Sequence, residues 1–251
     1  MWFSAVLVYS QEFRIGPAAA GHFYTTHMAE PEDAEVFNTR FKLGYSGGAA
    51  LSIPFKGGFG IQTEAYFTRQ GRKVLDEEVL FTNTATYDFI EMPILLRRTF
   101  EFYWLEGIPT TWYFNFGPNV RYWLQGKGHV DTRDNIRVPY TVVFDKEQDG
   151  NFNNMYLNDV NRWMLGLSAG VGFSIDVTRG QTVFIELRYT HGHTYFGDKE
   201  SASLNVLEFK DNLKSNYRIF SLAVSYQFGF NVLKIMQQQN LKRAKKPKQP
   251  K

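Results

Sequence analysis

Residues 163–177 are WMLGLSAGVGFSIDV, and from Leu165 onward apolar side chains alternate with small or polar ones. The odd-numbered positions from Leu165 to Ile175 are apolar, and the even-numbered positions from Gly166 to Asp176 are glycine, serine or aspartate. Successive side chains of a β-strand point to opposite faces, so this pattern predicts a strand with one apolar and one polar face. Strands of soluble domains usually have about 5–6 residues. A strand that crosses a membrane needs about 9–11, and this segment is long enough.

Seven further segments show the same alternation at a similar length. The eight segments are 12–24, 41–55, 59–69, 86–98, 112–126, 163–177, 182–195 and 217–230. An even number of long strands with one apolar face is typical of closed membrane barrels. The sequence therefore predicts an all-β fold, an eight-stranded antiparallel up-and-down transmembrane β-barrel with a basic C-terminal tail.

The connections between the segments alternate between short and long. Residues 56–58 and 178–180 form tight turns, whereas 99–111 is of medium length. The long polar connections are 25–40, 70–85, 127–162 and 196–216. Outer-membrane barrels have short periplasmic turns and long external loops. We therefore expect this chain in the cell outer membrane, in contact with its lipid, with the long connections outside.

The polar faces of the segments carry three acids and three bases. These residues are Arg14, Glu64, Glu91, Arg121, Glu186 and Arg188. Six charges facing a soluble core are very costly, but in a narrow barrel they can pair across the lumen. We expect an ion-pair network that fills the interior and leaves no useful pore.

Aromatic residues near the segment ends are candidates for the girdles that mark the membrane interfaces. They are Trp112, Tyr122, Trp123, Trp163 and Tyr189. The alternative is that they are ordinary strand aromatics.

The net charge of +3 belongs to the C-terminal end of the 251-residue chain. The residues after Phe230 hold seven of the 28 bases and no acid, so the rest of the chain is acidic. We expect three parts: a signal-peptide remnant or a short buried strand at 1–10, the barrel at 11–230, and a basic periplasmic tail at 231–251. The tail is either solvated or binds anionic headgroups, peptidoglycan or an acidic envelope protein. Its partner-binding candidates are Lys242, Arg243, Lys245, Lys246 and Lys248.

Few residues point to chemistry. Cysteine is absent, which excludes disulfides, thiolate metal sites and a cysteine nucleophile. His191 and His193 share a face and could bind a metal or serve as a base, but no serine and carboxylate are placed beside them. Residues 145–151 resemble half of a calcium loop, with Tyr156 where the closing glutamate belongs. We predict no catalytic residue, no metal, no cofactor and no nucleic acid.

Three short motifs carry a family resemblance. Residues 87–96 are YDFIEMPILL, residues 116–120 are FGPNV, and GFGIQTE at 58–64 precedes GRK at 71–73. Over about 12–230 the chain resembles the PorT-type outer-membrane β-barrel family of Bacteroidetes. The resemblance implies an outer-membrane location and, for the founding type, a link to type IX secretion and gliding. The chain departs from the usual pattern because about twenty residues follow the last segment.

These observations favour a structural or interaction component of an envelope assembly over an enzyme. Two alternatives remain open: a lipid-modifying outer-membrane enzyme and a narrow channel.

Overall fold

The computed structural model describes residues 12–32, 37–76, 81–101, 110–134, 136–145, 151, 153–178, 180–199, 201–204 and 209–231. Within them the fold is all-β, and no helix there is long and apolar enough to cross a membrane. Thirteen strands are described: β1 (Glu12–Met28), β2 (Phe37–Arg40), β3 (Lys42–Pro54), β4 (Phe59–Asp76), β5 (Phe81–Glu101), β6 (Thr110–Asp131), β7 (Arg137–Phe144), β8 (Asn154–Leu157), β9 (Trp163–Thr178), β10 (Gln181–Gly192), β11 (Ala202–Leu204), β12 (Phe209–Asp211) and β13 (Ser215–Asn231).

Eight of these strands pair in a closed antiparallel ring. Its order is β1, β3, β4, β5, β6, β9, β10 and β13, and β13 returns to β1. The last strand closes on the first with Phe13 opposite Phe230, and the β6–β9 pairing spans the long connection between those strands. Closure removes the free sheet edges that an open sheet would present.

Exposed and buried side chains alternate along the ring strands, with the apolar face outward and the polar face inward, as the sequence predicts. Leu165, Leu187 and Leu222 point outward and are 55%, 62% and 51% exposed, whereas their polar neighbours face inward. An outward apolar face is stable only against lipid, since water would make such a belt costly. The first residue of β1 and the last residue of β13 lie at the same end of the ring as the tight turns, and we call this the turn end. The opposite end is the outer end.

Five ring strands, β1, β4, β5, β6 and β13, extend further at the outer end than the sequence indicates. The predicted loop at 70–85 is wrong, because β4 and β5 occupy all of it except 77–80, which lie outside the described residues. The reason is that the alternation changes sign there. Val74 and Val130 face inward and are buried, while Lys73 and Lys127 face outward. That is the pattern of a strand in water, with its apolar face turned inward.

The other long connections also contain strands, which corrects their assignment as loops. β2 lies within 25–40, β7 and β8 lie within 127–162, and β11 and β12 lie within 196–216. These last four extend the sheet from β6 in the order β7, β8, β11, β12, with a parallel β7–β8 pair. We call this extension the outer cap.

The main apolar core of the described residues lies under the cap. Trp123 is fully buried there, and its ring packs against Tyr87, Phe144 and Phe196 at 4.6, 5.1 and 5.5 Å. Its assignment to an interfacial girdle is therefore wrong, because it points inward. Trp163 does point outward, 66% exposed, with its ring 4.8 Å from that of Tyr122.

A charged contact joins the connections that lead into β11 and β13 to the rim of the barrel. Glu30, just after β1, accepts hydrogen bonds from Lys199 at 2.5 Å and from Lys214 at 2.8 Å. The hydrogen bonds from Lys199 and Lys214 lower the pKa of the Glu30 carboxyl to about 2.

Candidate functional site

The centre of the ring holds one arginine between two glutamates. Arg188 donates from Nη1 and Nη2 to Glu64 at 2.6 and 2.9 Å, and from Nε to Glu186 at 2.7 Å. The three side chains are 6%, 2% and 3% exposed. Bidentate, charge-assisted geometry of this kind is the strongest arrangement for such a group.

This contact crosses the full width of the barrel. Arg188 lies on β10 and Glu64 on β4, and three strands separate them in either direction around the ring. The ion pair therefore joins opposite walls. An eight-stranded interior is just wide enough for side chains to fill it.

A second cluster lies nearer the outer end. Arg121 Nε is 3.6 Å from the Glu91 carboxylate, and Arg121 Nη2 donates to Gln70 at 2.5 Å. Glu91 also accepts from Asn119 at 2.7 Å and from Thr68 at 3.0 Å. The two carboxylate oxygens of Glu91 thus have partners on both neighbouring strands.

Aromatic rings cover the guanidinium of this cluster. The Arg121 guanidinium lies 4.1 Å from the ring centroid of Phe89 and 4.7 Å from that of Tyr217. Cation–π contact of this type stabilises a charge that has been removed from water. Tyr217 lies on β13, so Arg121 also reaches across the lumen.

His22 connects a further pair of strands to the second cluster. Its Nδ1 lies 2.8 Å from the hydroxyl of Ser221, and its Nε2 contacts the hydroxyl of Ser46. Ser46 in turn lies 2.7 Å from Thr68, which donates to Glu91. A chain of hydrogen bonds thus runs from β13 through β1, β3 and β4 to β5.

Arg97 belongs to the same interior, although the sequence prediction omitted it. Its Nε donates to Asn115 at 3.1 Å, and Asn115 donates to Glu186 at 2.7 Å. The guanidinium lies 3.9 Å from the Tyr113 ring centroid and 4.6 Å from that of Phe184. The signal was present, because Arg97 follows Glu91 on the polar face of the same segment. With Arg97 in place of Arg14, the interior holds three acids and three arginines.

Arg14 lies apart from these clusters. It donates to Glu12 at 3.0 Å near the turn end, and the two side chains are 28% and 41% exposed. A cavity of about 300 Å³ opens there, lined by Arg14, Arg97 and Asp176 among others. Beside Glu64 and Glu186 the cavity measures only about 10 Å³. The interior is therefore tightly packed beside these two glutamates, and a larger cavity opens at the turn end.

The outer mouth has its own buried ion pair, which the sequence prediction missed. Arg72 on β4 contacts Asp211 on β12, and both side chains are 1% exposed. Asn83 donates to Asp211 at 2.8 Å and accepts from Tyr140 at 2.6 Å. No sequence signal points to this contact, because both arginine and aspartate fall in segments that were assigned to loops.

The remaining candidate sites gain little from the structure. The rings of His191 and His193 are 5.4 Å apart at the outer end of β10. Across the described ranges, no group of three or more histidines, aspartates or glutamates could hold a metal ion. Most of the calcium-like loop 145–151, the segment 1–10 and the basic tail residues lie outside the described residues.

Comparison with known proteins agrees with this architecture. Residues 9–194 match the family described as outer membrane protein beta-barrel domain. The outer membrane protein OprG from Pseudomonas aeruginosa superimposes with a TM-score of 0.52 at 11% identity, over 89% of this chain and 98% of that one. Neisserial surface protein A superimposes with a TM-score of 0.42 at 12% identity, over 87% of this chain and 97% of that one. A search of curated proteins finds no match.

The likeness to OprG is a likeness of fold, and the family match covers most of the chain. The chain belongs to the outer membrane protein beta-barrel domain family and is a protein of the outer membrane.

Proposed function

We propose that the eight-stranded ring spans the membrane as a barrel closed to solutes, and that the protein is a structural or interaction component of an envelope assembly. The observation that carries this proposal is the interior itself. Arg188 joins opposite walls of the ring, and the cavity beside its partners Glu64 and Glu186 measures only about 10 Å³. Because acids and arginines balance, the interior offers no excess charge that would draw in an ion.

Planar-bilayer recording tests the closed barrel. We expect no discrete conductance from the full chain. A variant in which Glu64, Arg121, Glu186 and Arg188 are all alanine should conduct, because the side chains that cross the lumen in both clusters are then gone. Heat-modifiable migration on a gel shows that the variant has folded. Discrete steps from the unaltered chain would reject the closed barrel.

The interaction role rests on the folded cap and on the basic tail. The cap rests on an apolar core that includes Trp123 and Phe196, so it presents an ordered surface outside the membrane. The residues after Phe230 form a cationic segment of the sequence, and β13, which precedes it, ends at the turn end. Type IX secretion or gliding is the assembly that the PorT-type resemblance implies, and we propose it on that basis.

A crosslinked pull-down from outer membranes tests the tail. The full chain is compared with a chain that ends at Phe230 and with a full-length chain whose five candidate bases, Lys242, Arg243, Lys245, Lys246 and Lys248, are glutamine. We expect envelope proteins that bind the full chain to be lost from both altered chains. Identical sets from all three chains would contradict a docking role for the tail.

We favour this role over a lipid-modifying enzyme because of the surroundings of His191. Within the described residues, His191 interacts electrostatically with His193, Arg218 and His27. None of these groups is a carboxylate. A histidine that serves as a general base is usually oriented by an acid. The lipids of cells that make the unaltered chain are compared with those of cells that make His191→Ala. A lipid modification that is present in the first cells and missing from the second would favour the enzyme instead.

A further inference from the structure

The outward face of β4, β5 and β6 changes from apolar to charged over two residues. Phe67, Ile90 and Tyr122 stand side by side in the sheet and face outward. The next outward position toward the outer end is the ion pair of Arg69 with Asp88, at 2.7 and 2.9 Å. A bidentate ion pair on the outer surface marks the point at which the strands leave the hydrocarbon.

A polar groove lies immediately beyond this ion pair. It has a volume of about 480 Å³ and faces outward on β5, β6 and β7. We call it the Lys127 groove. The polar side chains that line it and can contact a ligand are Thr84, Thr86, Lys127, His129, Thr141 and Asn153; the hydroxyl of Tyr140, which also lines it, is already donated to Asn83. The sheet register sets Lys127 between Thr86 and Thr141 and sets His129 opposite Thr84. The groove thus combines one ammonium and one imidazole with three hydroxyls and an amide.

The groove has an unbalanced positive charge. Asp88 is engaged by Arg69 and accepts from Gln125 at 2.8 Å. Asp131, 3.5 Å from His129, accepts from Arg137 at 2.8 Å. Neither neighbouring acid is therefore free, and in the described part of the chain Lys127 has no ion-pair partner.

Further cations stand beside the groove at the same height. Lys73 lies opposite Thr84 in the sheet, and Arg40 lies opposite Lys73. Together with Lys127 they give three cations that extend from β2 to β6. A surface of this charge attracts anions at the membrane interface.

The height of the groove matches a lipid headgroup. Strands rise about 3.4 Å per residue and tilt by about 35–45° in such barrels, so two residues climb about 5 Å. Thr86, which pairs with Lys127, is two residues beyond Asp88, where the outward face becomes charged. Headgroups occupy about 5–8 Å on each side of the hydrocarbon, and the lysine stem can reach back toward them.

We propose that the Lys127 groove binds the phosphorylated sugar headgroup of a glycolipid in the outer leaflet. Lys127 and His129 bind a phosphate group. The hydroxyls of the three threonines and the amide of Asn153 bind sugar hydroxyls. Lys73 and Arg40 attract the second phosphate of a headgroup that carries two.

The test uses the full chain in detergent micelles with bis-phosphorylated lipid A as the probe. Native mass spectrometry measures the fraction of protein that retains lipid A. The test variant is Lys127→Gln with His129→Gln. The matched control is Lys56→Gln, an exposed lysine at the turn end. Heat-modifiable migration checks that each protein has folded.

We expect the unaltered chain and Lys56→Gln to retain lipid A equally. The double variant should bind lipid A at least about fivefold more weakly, because one cation at an anionic membrane surface contributes an effect of about this size. Dephosphorylated lipid A should be retained poorly by all three. Three outcomes would overturn the proposal: equal retention by the double variant, equal retention of the dephosphorylated lipid, or full displacement by inorganic phosphate, which would indicate a site for free phosphate.

Discussion

Replacing Arg188 with methionine is expected to destabilise the barrel strongly. The arginine makes three charge-assisted hydrogen bonds, and its loss leaves the carboxylates of Glu64 and Glu186 facing each other without it. The next base, Arg97, reaches Glu186 only through Asn115. Removing one partner of a buried ion pair costs about 3–5 kcal/mol, and two stranded acids place this variant near the upper end.

Replacing Glu64 together with Arg188 should be much less harmful than replacing the arginine alone. The double variant Glu64→Gln and Arg188→Met removes one acid and one base, so the interior charges stay balanced, and Glu186 keeps its link to Arg97 through Asn115. Its free energy of unfolding is expected to lie within about 2 kcal/mol of the unaltered chain, because the main cost of the single variant is an uncompensated buried charge.

Arg14→Met is the matched control. Arg14 was predicted from the same alternation, but it pairs only with the partly exposed Glu12. An exposed ion pair contributes about 0–1 kcal/mol, so this variant should be nearly as stable as the unaltered chain.

Urea unfolding in lipid vesicles, followed by tryptophan fluorescence, measures all four proteins. The reasoning is refuted if Arg188→Met lies within about 1 kcal/mol of the unaltered chain, or if the double variant is no more stable than the single one. Either result would mean that the central charges are not held as buried ions.

Three other predictions concern the wall, the cap and the rim. Gly48→Ala should lower the folded yield sharply, since its Cβ would overlap a backbone carbonyl of β4, whereas Gly47→Ala, which meets nothing within 4 Å, should fold normally in a heat-modifiability assay. Asp211→Ala leaves a buried arginine without its acid and should speed amide exchange in β7, β8 and β11 while the ring stays protected; unchanged exchange in the cap would contradict this. Glu30→Gln should lower the melting temperature at neutral pH. Because the pKa of Glu30 falls from 4.5 to about 2 on folding, the difference from the unaltered chain should persist above about pH 4.5 and vanish toward pH 2. A difference that does not change with pH would refute it.

The alternation of side chains alone was enough to identify the ring strands and their faces. A strand has a period of two whatever it packs against, so segments such as 163–177 carry the information locally. The inward position of Glu64, Glu91 and Glu186 followed from the same period. The ion-pair partners of these glutamates could not be predicted in the same way. Pairing across the ring depends on which strands lie opposite each other once the ring has closed.

Only the tertiary structure placed Arg188 against Glu64, since those residues are far apart in sequence and three strands apart in the ring. It also separated Arg14 from the central ion pairs and brought Arg97 to them. The sequence did not predict the strands of the outer cap, and the reason is different. Beyond the membrane, water replaces lipid around the same strands, so the apolar face turns inward and the pattern that identifies a membrane strand is inverted.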